Sequence, residues 1–233
     1  MAIAAALIEV NTSPPHRKLR RARTTAQDAV TGRTTATEKT LVVFKPDVIQ
    51  RQIVGELITR FEKKGFKIVA MKMVWPSCEM VAKHYTDDPE YLKEIGHKSL
   101  KSAKERGETM DIDDPMEIGR RVRQWNIDYL ACGPVVAMVF EGSCVIEGVR
   151  KLIGKTNPIA ADVGTIRADY TPDSYLLADM QGRTTRTMIH ASDSPTSAKR
   201  EIALWFTEAE IYDYETAVEK ILYDKGWSCP VDH

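Results

Sequence analysis

Several features that would assign a class to a protein at once are missing from this chain of 233 residues. No uninterrupted apolar run approaches the roughly 18 to 20 residues that a membrane-spanning helix needs, so we expect no membrane association. The 33 basic and 33 acidic side chains balance to a formal net charge of 0, which indicates no specific nucleic-acid partner. With 43% hydrophobic residues, the chain is nevertheless long enough to bury a substantial core.

Cysteine is scarce. The four cysteines, Cys78, Cys132, Cys144 and Cys229, show no CxxC spacing, and the five histidines do not cluster with them into a metal-ligand pattern. This distribution is typical of a reduced, cytoplasmic protein. Neither familiar nucleotide cradle is present, because the chain has no GxxxxGK[ST] loop and no GxGxxG before a helix.

The first 37 residues contain no Phe, Trp or Tyr and carry six basic against two acidic side chains. Such a segment cannot bury enough apolar surface to offset the entropy lost on ordering. We predict a disordered basic leader over residues 1–37 and one enlarged domain over residues 38–233. The leader's composition is also tolerable for an organelle transit peptide, so a tail, a miscalled start and a targeting segment all stay open.

The predicted order of elements begins at "TLVVFKPD", a β-branched and aromatic strand that ends at Lys45-Pro46-Asp47. A helix through "QIVGELITRFEKKG", a strand through "FKIVAMKMVW" and a short helix ending at Tyr85 follow. Residues 87–131 read as a helical elaboration, with Asp114 as N-cap and Pro115 at the first position of a helix. After it, "PVVAMVFEG" is apolar on both faces, as a central strand should be.

Polar side chains then gather at element boundaries, where functional sites are usually built. Lys45 ends a strand, Arg150 lies on the helix "SCVIEGVRKLIG", and Thr156 and Arg167 lie in the irregular stretch "KTNPIAADVGTIRADY". Three cations and a hydroxyl without a dense acidic cluster suit a polyphosphate. Any Mg²⁺ in such a site would be held mainly by the phosphates themselves.

A histidine at the end of the run "MIH" supplies a nucleophile for such a site. His190 precedes small residues, and Ser194-Pro195 begins a helix on which Glu201 lies two turns along. A carboxylate in that position would orient the imidazole, whose neutral form is nucleophilic. Taken alone, either residue is more simply a satisfied strand-end histidine or a solvated helix carboxylate.

The motifs "LVVFKPD", "GPVVAMVFEG", "GKTNP", "GTIRADY" and "MIHASDSPTSAKREIALWF" together resemble the nucleoside diphosphate kinase family. The resemblance covers roughly residues 39–86, 133–170 and 186–225 in the family's order. It implies an α+β fold with a ferredoxin-like βαββαβ antiparallel sheet, covering helices and a helical insertion. It also implies a homo-oligomer, a tetramer or hexamer, that uses Mg²⁺ and transfers the γ-phosphate of ATP to nucleoside diphosphates by a ping-pong mechanism.

The same resemblance assigns roles to individual residues. His190 matches the nucleophile that becomes phosphohistidine, and Glu201 and Ser192 match the residues that orient it. The phosphate-side and histidine-positioning residues of the family are matched by Lys45, Tyr85, Arg150, Thr156 and Arg167.

Two departures from the family pattern put base and sugar recognition in question. Insertions at about 87–131 and 171–185 lengthen the chain, and the first replaces the segment that usually carries an aromatic platform for the base. Tyr91 is our candidate for that platform. Thr187 stands three residues before His190, where the family usually has an asparagine that contacts the sugar.

Three functions therefore stay open at this point. The first is an active phosphotransferase, and the second is a catalytically weak relative that serves as a nucleotide-binding or scaffolding protein. The third is a histidine-based phosphatase, which the loop motifs favour less because they suit nucleotide holding better than water activation.

Overall fold

Four strands form one antiparallel sheet in the computed structural model, which describes residues 37–107 and 110–223. In chain order the strands are β1 (Thr37–Phe44), β2 (Lys67–Val74), β3 (Val135–Ser143) and β4 (Ile189–Ala191). Their order across the sheet is β2-β3-β1-β4, with β1 and β3 in the centre. The α+β fold with a ferredoxin-like sheet is confirmed.

Helices cover the sheet and fill the long connection before β3. Between β1 and β2 lie α1 (Pro46–Gln50) and α2 (Val54–Lys63). The connection from β2 to β3 holds α3 (Cys78–His84), α4 (Pro89–Glu105) and α5 (Pro115–Ala131). The second half holds α6 (Val145–Ile153), α7 (Ile166–Tyr170), α8 (Tyr175–Met180), α9 (Pro195–Trp205) and α10 (Ala217–Tyr223). Short 3₁₀ turns occupy Pro158–Ala160 and Glu208–Glu210. Over the described residues, none of these helices combines the length and the apolarity required to span a membrane.

The central strands are buried on both faces, as the apolar run in β3 predicts. Val42 and Phe44 point into one core with Met138, while Leu41 and Val43 point into a second core on the opposite face. Because successive side chains of a strand point to opposite faces, the continuous apolar runs of β1 and β3 supply both cores at once.

The register of β1 and β4 brings the predicted site together. Val43 pairs with His190 and Phe44 with Ile189, and the Lys45 amide donates to the Met188 carbonyl at 2.9 Å. Residues distant in sequence therefore meet at one end of the edge strand β4.

Some sequence-based expectations need adjustment. The helix predicted from Gln52 to Gly65 is α2, which begins at Val54. A further short helix, α1, begins at Pro46, where the sequence predicted only the end of a strand, and Gln52 lies between the two helices in a left-handed conformation with φ of 58°. Arg167 lies on the short helix α7 rather than in irregular chain, because the turn that begins at Thr165 closes with the Asp169 amide bonded to the Thr165 carbonyl. The predicted leader over residues 1–37 lies almost wholly outside the described residues.

The helical elaboration is an antiparallel pair, α4 and α5, in very close contact. Asp114 caps α5 by accepting from the Met116 amide at 3.0 Å, as predicted. Gly96 and Gly119 lie where the two backbones cross, and a Cβ on Gly119 would overlap the Leu92 carbonyl. The second predicted insertion packs on this pair, since the Thr184 hydroxyl donates to the Asn126 side-chain oxygen at 2.7 Å.

The described residues up to Leu222 form one compact unit, and Tyr223 ends α10.

The close contact of α4 and α5 predicts that alanine substitution will change stability very differently at two glycines. Gly119→Ala should lower the free energy of unfolding by about 1–3 kcal/mol, because the added methyl group must push the helices apart. Gly55→Ala is the matched control, because Gly55 also lies in a helix but its added Cβ meets nothing within 4 Å. It should be neutral or raise stability by up to about 1 kcal/mol. Urea denaturation measures both, and equal effects would contradict the close approach.

Candidate active site

The His190 imidazole is held in one tautomer by a buried carboxylate. Its Nε2 atom lies 2.8 Å from Oε2 of Glu201, whose side chain is only 6% exposed. Although burial opposes ionisation, the hydrogen bond and charge of His190 hold the pKa of Glu201 at about 2. Glu201 is therefore an acceptor only, so Nε2 of His190 carries the proton and Nδ1 keeps its lone pair.

Ser192 fixes the carboxylate in turn. Its hydroxyl donates to the same Oε2 atom of Glu201 at 2.7 Å and accepts from the Leu41 amide at 3.3 Å. Ser192 is fully buried. The sequence prediction that His190, Glu201 and Ser192 act together matches this geometry, in which strand β1, the end of β4 and helix α9 each contribute one part.

Lys45 is a buried cation at the end of β1. Its Nζ donates to the Thr187 hydroxyl at 2.9 Å, and the side chain is almost inaccessible. Burial, with the nearby positive charge of Arg167, lowers the pKa of the Lys45 ammonium to about 7, against an opposing effect of Asp47. At neutral pH this lysine therefore changes charge readily.

Tyr129, on α5, lies beneath two cations. Lys45 Nζ is 4.6 Å from the centre of its ring, and the guanidinium carbon of Arg186 is 4.4 Å from it. The Tyr129 hydroxyl accepts from the Met188 amide at 3.3 Å, and burial raises the pKa of this phenol well above its usual range. The contact of Tyr129 with Arg186 was not predicted from the sequence, because neither residue carries a local signal for it.

Arg167 acts mainly on the backbone that carries His190. It donates to the carbonyls of Thr187 at 3.2 Å and Ile189 at 2.8 Å, and to that of Gly154 at 2.8 Å. Met188, between two of these carbonyls, is buried in a left-handed conformation with φ of 64°. Burial, with the charge of Arg150, lowers the pKa of Arg167 to about 10, so the guanidinium stays charged near neutral pH.

Aromatic rings surround the face of His190 that is turned to the interior. The His84 ring, at the end of α3, meets it edge-on with 4.3 Å between centroids, and the Tyr85 ring lies 6.5 Å away. Burial raises the pKa of Tyr85 above its usual range, so its hydroxyl is an un-ionised donor. The indole of Trp205 donates to Nδ1 of His84 at 3.2 Å.

A ring nitrogen of His84, one of His190 and a carboxylate oxygen of Glu201 lie within 4.8 Å of one another. Two histidines and a carboxylate can bind a transition metal when each offers a lone pair. Here the Trp205 indole occupies Nδ1 of His84, which leaves the proton on its Nε2. Neither nitrogen of His84 is therefore available to a metal ion, and the cluster is better described as a set of hydrogen-bonding and packing groups.

The remaining predicted residues lie on α4, on α6 and on the loop after α6. Tyr91, on α4, is half-buried, and its pKa is raised by burial and then by the charge of Glu201. Arg150 is exposed on α6 and lines a cavity of about 670 Å³ with Lys155 and Asp193, a lining that does not include His190. Thr156 is exposed on the loop after α6.

The chemistry of this arrangement follows from charge and protonation. The His190 imidazole has a free lone pair on Nδ1 and lies near buried cations. Its other nitrogen, Nε2, is bound by the ionised carboxylate of Glu201. Such a site is suited to a nucleophilic imidazole that accepts an anionic group and then carries positive charge on its ring. The arrangement fits a phosphotransferase that works through a histidine.

Comparison with known proteins identifies the class more closely. The model of the nucleoside diphosphate kinase family matches residues 38–100 and 119–211. A nucleoside diphosphate kinase from Pyrobaculum aerophilum is 46% identical over 180 residues, covering 76% of this chain and 98% of the relative. One from Archaeoglobus fulgidus is 42% identical over 188 residues, covering 81% and 99%.

Solved structures give the same answer. An NDP kinase from Pyrobaculum aerophilum superimposes with a TM-score of 0.73 at 45% identity, covering 76% of this chain and all of that one. A nucleoside-diphosphate kinase from Borrelia burgdorferi, solved as a transition state mimic with bound vanadate and ADP, gives a TM-score of 0.64 at 32% identity, over 79% of this chain and 95% of that one.

The chain therefore belongs to the nucleoside diphosphate kinase family. It is a nucleotide-binding phosphotransferase with nucleoside diphosphate kinase activity. The family acts on ATP and nucleoside diphosphates, and its members generally need a divalent cation. The family match leaves out residues 101–118, inside the first predicted insertion, and includes residues 171–185. Both insertions stay predictions.

The contact of Glu201 with His190 yields a direct test. Glu201→Gln should lower kcat/KM roughly 10- to 100-fold, because a hydrogen bond to a charged group contributes about 1.5–3 kcal/mol. Glu219→Gln is the matched control, since Glu219 pairs with Lys67 at 2.8 Å away from His190. That variant should stay within about twofold of the unaltered enzyme. Equal losses in both variants would remove Glu201 from the mechanism.

Proposed function

We propose that this protein transfers the γ-phosphate of ATP to nucleoside diphosphates by a ping-pong mechanism, with phosphohistidine formed at His190. The observation that carries the proposal is the hydrogen bond of 2.8 Å between His190 Nε2 and Glu201, which leaves Nδ1 as the free nucleophile. The intact set of His190, Glu201 and Ser192 supports an active enzyme over a catalytically weak nucleotide-binding or scaffolding relative.

The two half-reactions balance without a further reactant. In the first, Nδ1 of His190 attacks the γ-phosphorus, the bond to the bridging oxygen breaks, and the nucleoside diphosphate leaves with that oxygen. The ring then carries positive charge, which the Glu201 carboxylate stabilises through Nε2–H. In the second, a terminal oxygen of the acceptor diphosphate attacks the phosphorus, and the bond to Nδ1 breaks. In-line transfer of this kind asks mainly for positioning and charge stabilisation.

The cations supply that stabilisation. Lys45, with its pKa lowered to about 7, becomes charged when a phosphate binds, and in its buried position the interaction with phosphate is strong. In our proposal Arg150 and Thr156 bind phosphate oxygens from the exposed side. Arg167 retains two N–H donors beyond the three it gives to carbonyls, and it also positions the strand that carries the nucleophile.

Mg²⁺ fits this site as a partner of the substrate. Glu201 is occupied by His190 and Ser192, and Lys45 and Arg167 repel a free cation. The substrate phosphates would therefore provide most of its ligands, as is common for Mg²⁺. When bound, the ion neutralises phosphate charge.

Base and sugar recognition involve Tyr91 and Thr187 in our proposal. Tyr91 offers an aromatic face on α4, close enough to Glu201 for the two to influence each other electrostatically. The Thr187 hydroxyl already accepts from Lys45, which leaves its single O–H donor and one lone pair for a contact with the sugar. One donor in place of an asparagine amide would weaken discrimination between ribose and deoxyribose.

Compartment and assembly complete the proposal. The described cysteines Cys78, Cys132 and Cys144 are free, which suits the reducing cytoplasm. We also propose a homo-oligomer, a tetramer or hexamer, because the edge strand β2 exposes the apolar side chains Met71, Met73 and the adjoining Trp75 at 57%, 61% and 67%. Apolar stripes of this kind commonly mark interaction surfaces.

A phosphoenzyme is the first expected outcome. Protein incubated with Mg²⁺ and γ-labelled ATP should carry label that is lost in acid and kept in base. His190→Ala should carry none, whereas His97→Ala, which alters an exposed histidine on α4, should label normally. Label that survives acid, or that persists without His190, would overturn the assignment.

Proton uptake on binding is expected from Lys45. With its pKa at about 7 in the free protein, Lys45 is largely neutral at pH 8 and largely charged at pH 6. Bound phosphate favours the charged form, so ADP binding should take up close to one proton at pH 8 and less at pH 6. Calorimetry in buffers of different ionisation enthalpy measures this uptake as the difference between the unaltered protein and Lys45→Met. An uptake that is the same in both would exclude Lys45 as its source.

Assembly is tested by the native mass. Light scattering should give four or six chains, and Met73→Lys should lower the mass by placing a charge in the apolar stripe. A single-chain mass for the unaltered protein would contradict the proposed oligomer.

A further inference from the structure

His84 is a buried histidine for which the proposed transfer has no role. It ends α3, is 3% exposed, and meets the His190 ring edge-on at 4.3 Å. Its Nδ1 accepts from the Trp205 indole at 3.2 Å, and its Nε2 has no partner among the described residues. An unpaired buried N–H is costly, so its presence beside the nucleophile calls for an explanation.

The indole decides the protonation of His84. An indole N–H can only donate, so Nδ1 of His84 must offer a lone pair, and the proton of the neutral ring must sit on Nε2. A second proton would have to go on Nδ1, directly against the indole N–H. Trp205 itself is held by the core, with 2% of its surface exposed, so it cannot turn away easily.

We propose that Trp205 locks His84 as a neutral, Nε2-protonated imidazole, and that this neutral ring is a positioning residue for His190.

Two consequences for His190 follow from a neutral neighbour. First, the edge-on His84 ring packs against the His190 ring and limits its rotation about the bond to the backbone. Second, a charged His84 would compete with His190 for the Glu201 carboxylate, because a ring nitrogen of each histidine lies within 4.8 Å of an oxygen of Glu201. The lock therefore keeps the Glu201 carboxylate hydrogen-bonded to His190 alone of the two histidines.

The surroundings agree with a neutral His84. Burial lowers the pKa of His84 well below its usual range, and the neighbouring His190 lowers it further. The groups that face it from the elements around it are His190 on β4, Glu201 and Arg200 on α9, Lys45 at the end of β1, and the adjoining Tyr85. Of these charges only that of Glu201 favours the protonated form of His84, and Glu201 already accepts from His190 and Ser192.

The first experiment measures the tautomer of the His84 ring and requires no catalytic turnover. In full-length protein labelled with ¹⁵N-histidine, the signals of His84, assigned by their loss in His84→Gln, should show the Nε2–H tautomer from pH 5.5 to pH 8. An Nδ1–H tautomer, or titration of His84 within that range, would overturn the proposal. Because this measurement needs no catalysis, it separates failure of the lock from failure of the proposed phosphotransfer, on which the positioning role rests.

The second experiment reads the effect on His190. In Trp205→Phe the donor is lost while most of the ring is kept, so the acid limb of the kcat/KM profile should move to higher pH by at least about half a unit, the effect of one hydrogen bond. Adding His84→Gln removes the extra titration and should return the limb to its original position. A merely structural role would lower kcat/KM equally at every pH.

Trp125→Phe is the matched control. Its half-buried ring lies on α5, where the guanidinium carbon of Arg121 is 5.3 Å from the ring centre. It should leave the acid limb in place. An acid limb unmoved in Trp205→Phe, or still displaced in the double variant, would overturn the positioning role.

Discussion

Arg167 holds the backbone on which the geometry of the site depends. Its guanidinium joins the end of α6, through the Gly154 carbonyl, to the carbonyls on either side of Met188. The left-handed conformation of Met188 costs on the order of 1 kcal/mol or more for a residue with a side chain, and it persists because the surrounding bonds require it. His190 follows two residues later, so its direction is set by this strained turn and by the pairing of β4 with β1.

Cations predominate around the turn. Lys45 and Arg167 are buried close together, Arg186 lies against Tyr129, and Asp47 offsets only part of their effect on Lys45, while Glu201 binds His190. Burial, and then repulsion from Arg167, lower the pKa of Lys45, so the charged form of this lysine is unfavourable in the empty site. A bound polyanionic substrate neutralises this repulsion. The positive charges that are unfavourable in the empty site therefore strengthen the binding of phosphate.

The strands and the nucleophile were predictable because their signals are local. The apolar runs of β1 and β3, the Asp114 cap, and the spacing from Ser194 to Glu201 each lie within a few residues. The partners of Arg167 could not be predicted from the sequence, because a guanidinium can donate to backbone carbonyls and to phosphates equally well. Tyr129 and the pair of His84 with Trp205 were missed for a further reason. Trp205 is 121 positions from His84, and only the folded sheet brings the two rings together.

The pairing of β1 with β4 also determines when the site is formed. Leu41 and Ser192, which bond across it, are 151 positions apart, whereas α4 and α5 are consecutive helices that meet through nearby chain. Closing a long loop costs more entropy than closing a short one, so contacts between nearby segments form readily while distant strand pairing waits. During synthesis the helical pair can fold while the chain is still growing, but β4 and α9 emerge only later. The nucleophile and its carboxylate are therefore assembled only once the chain has grown past α9.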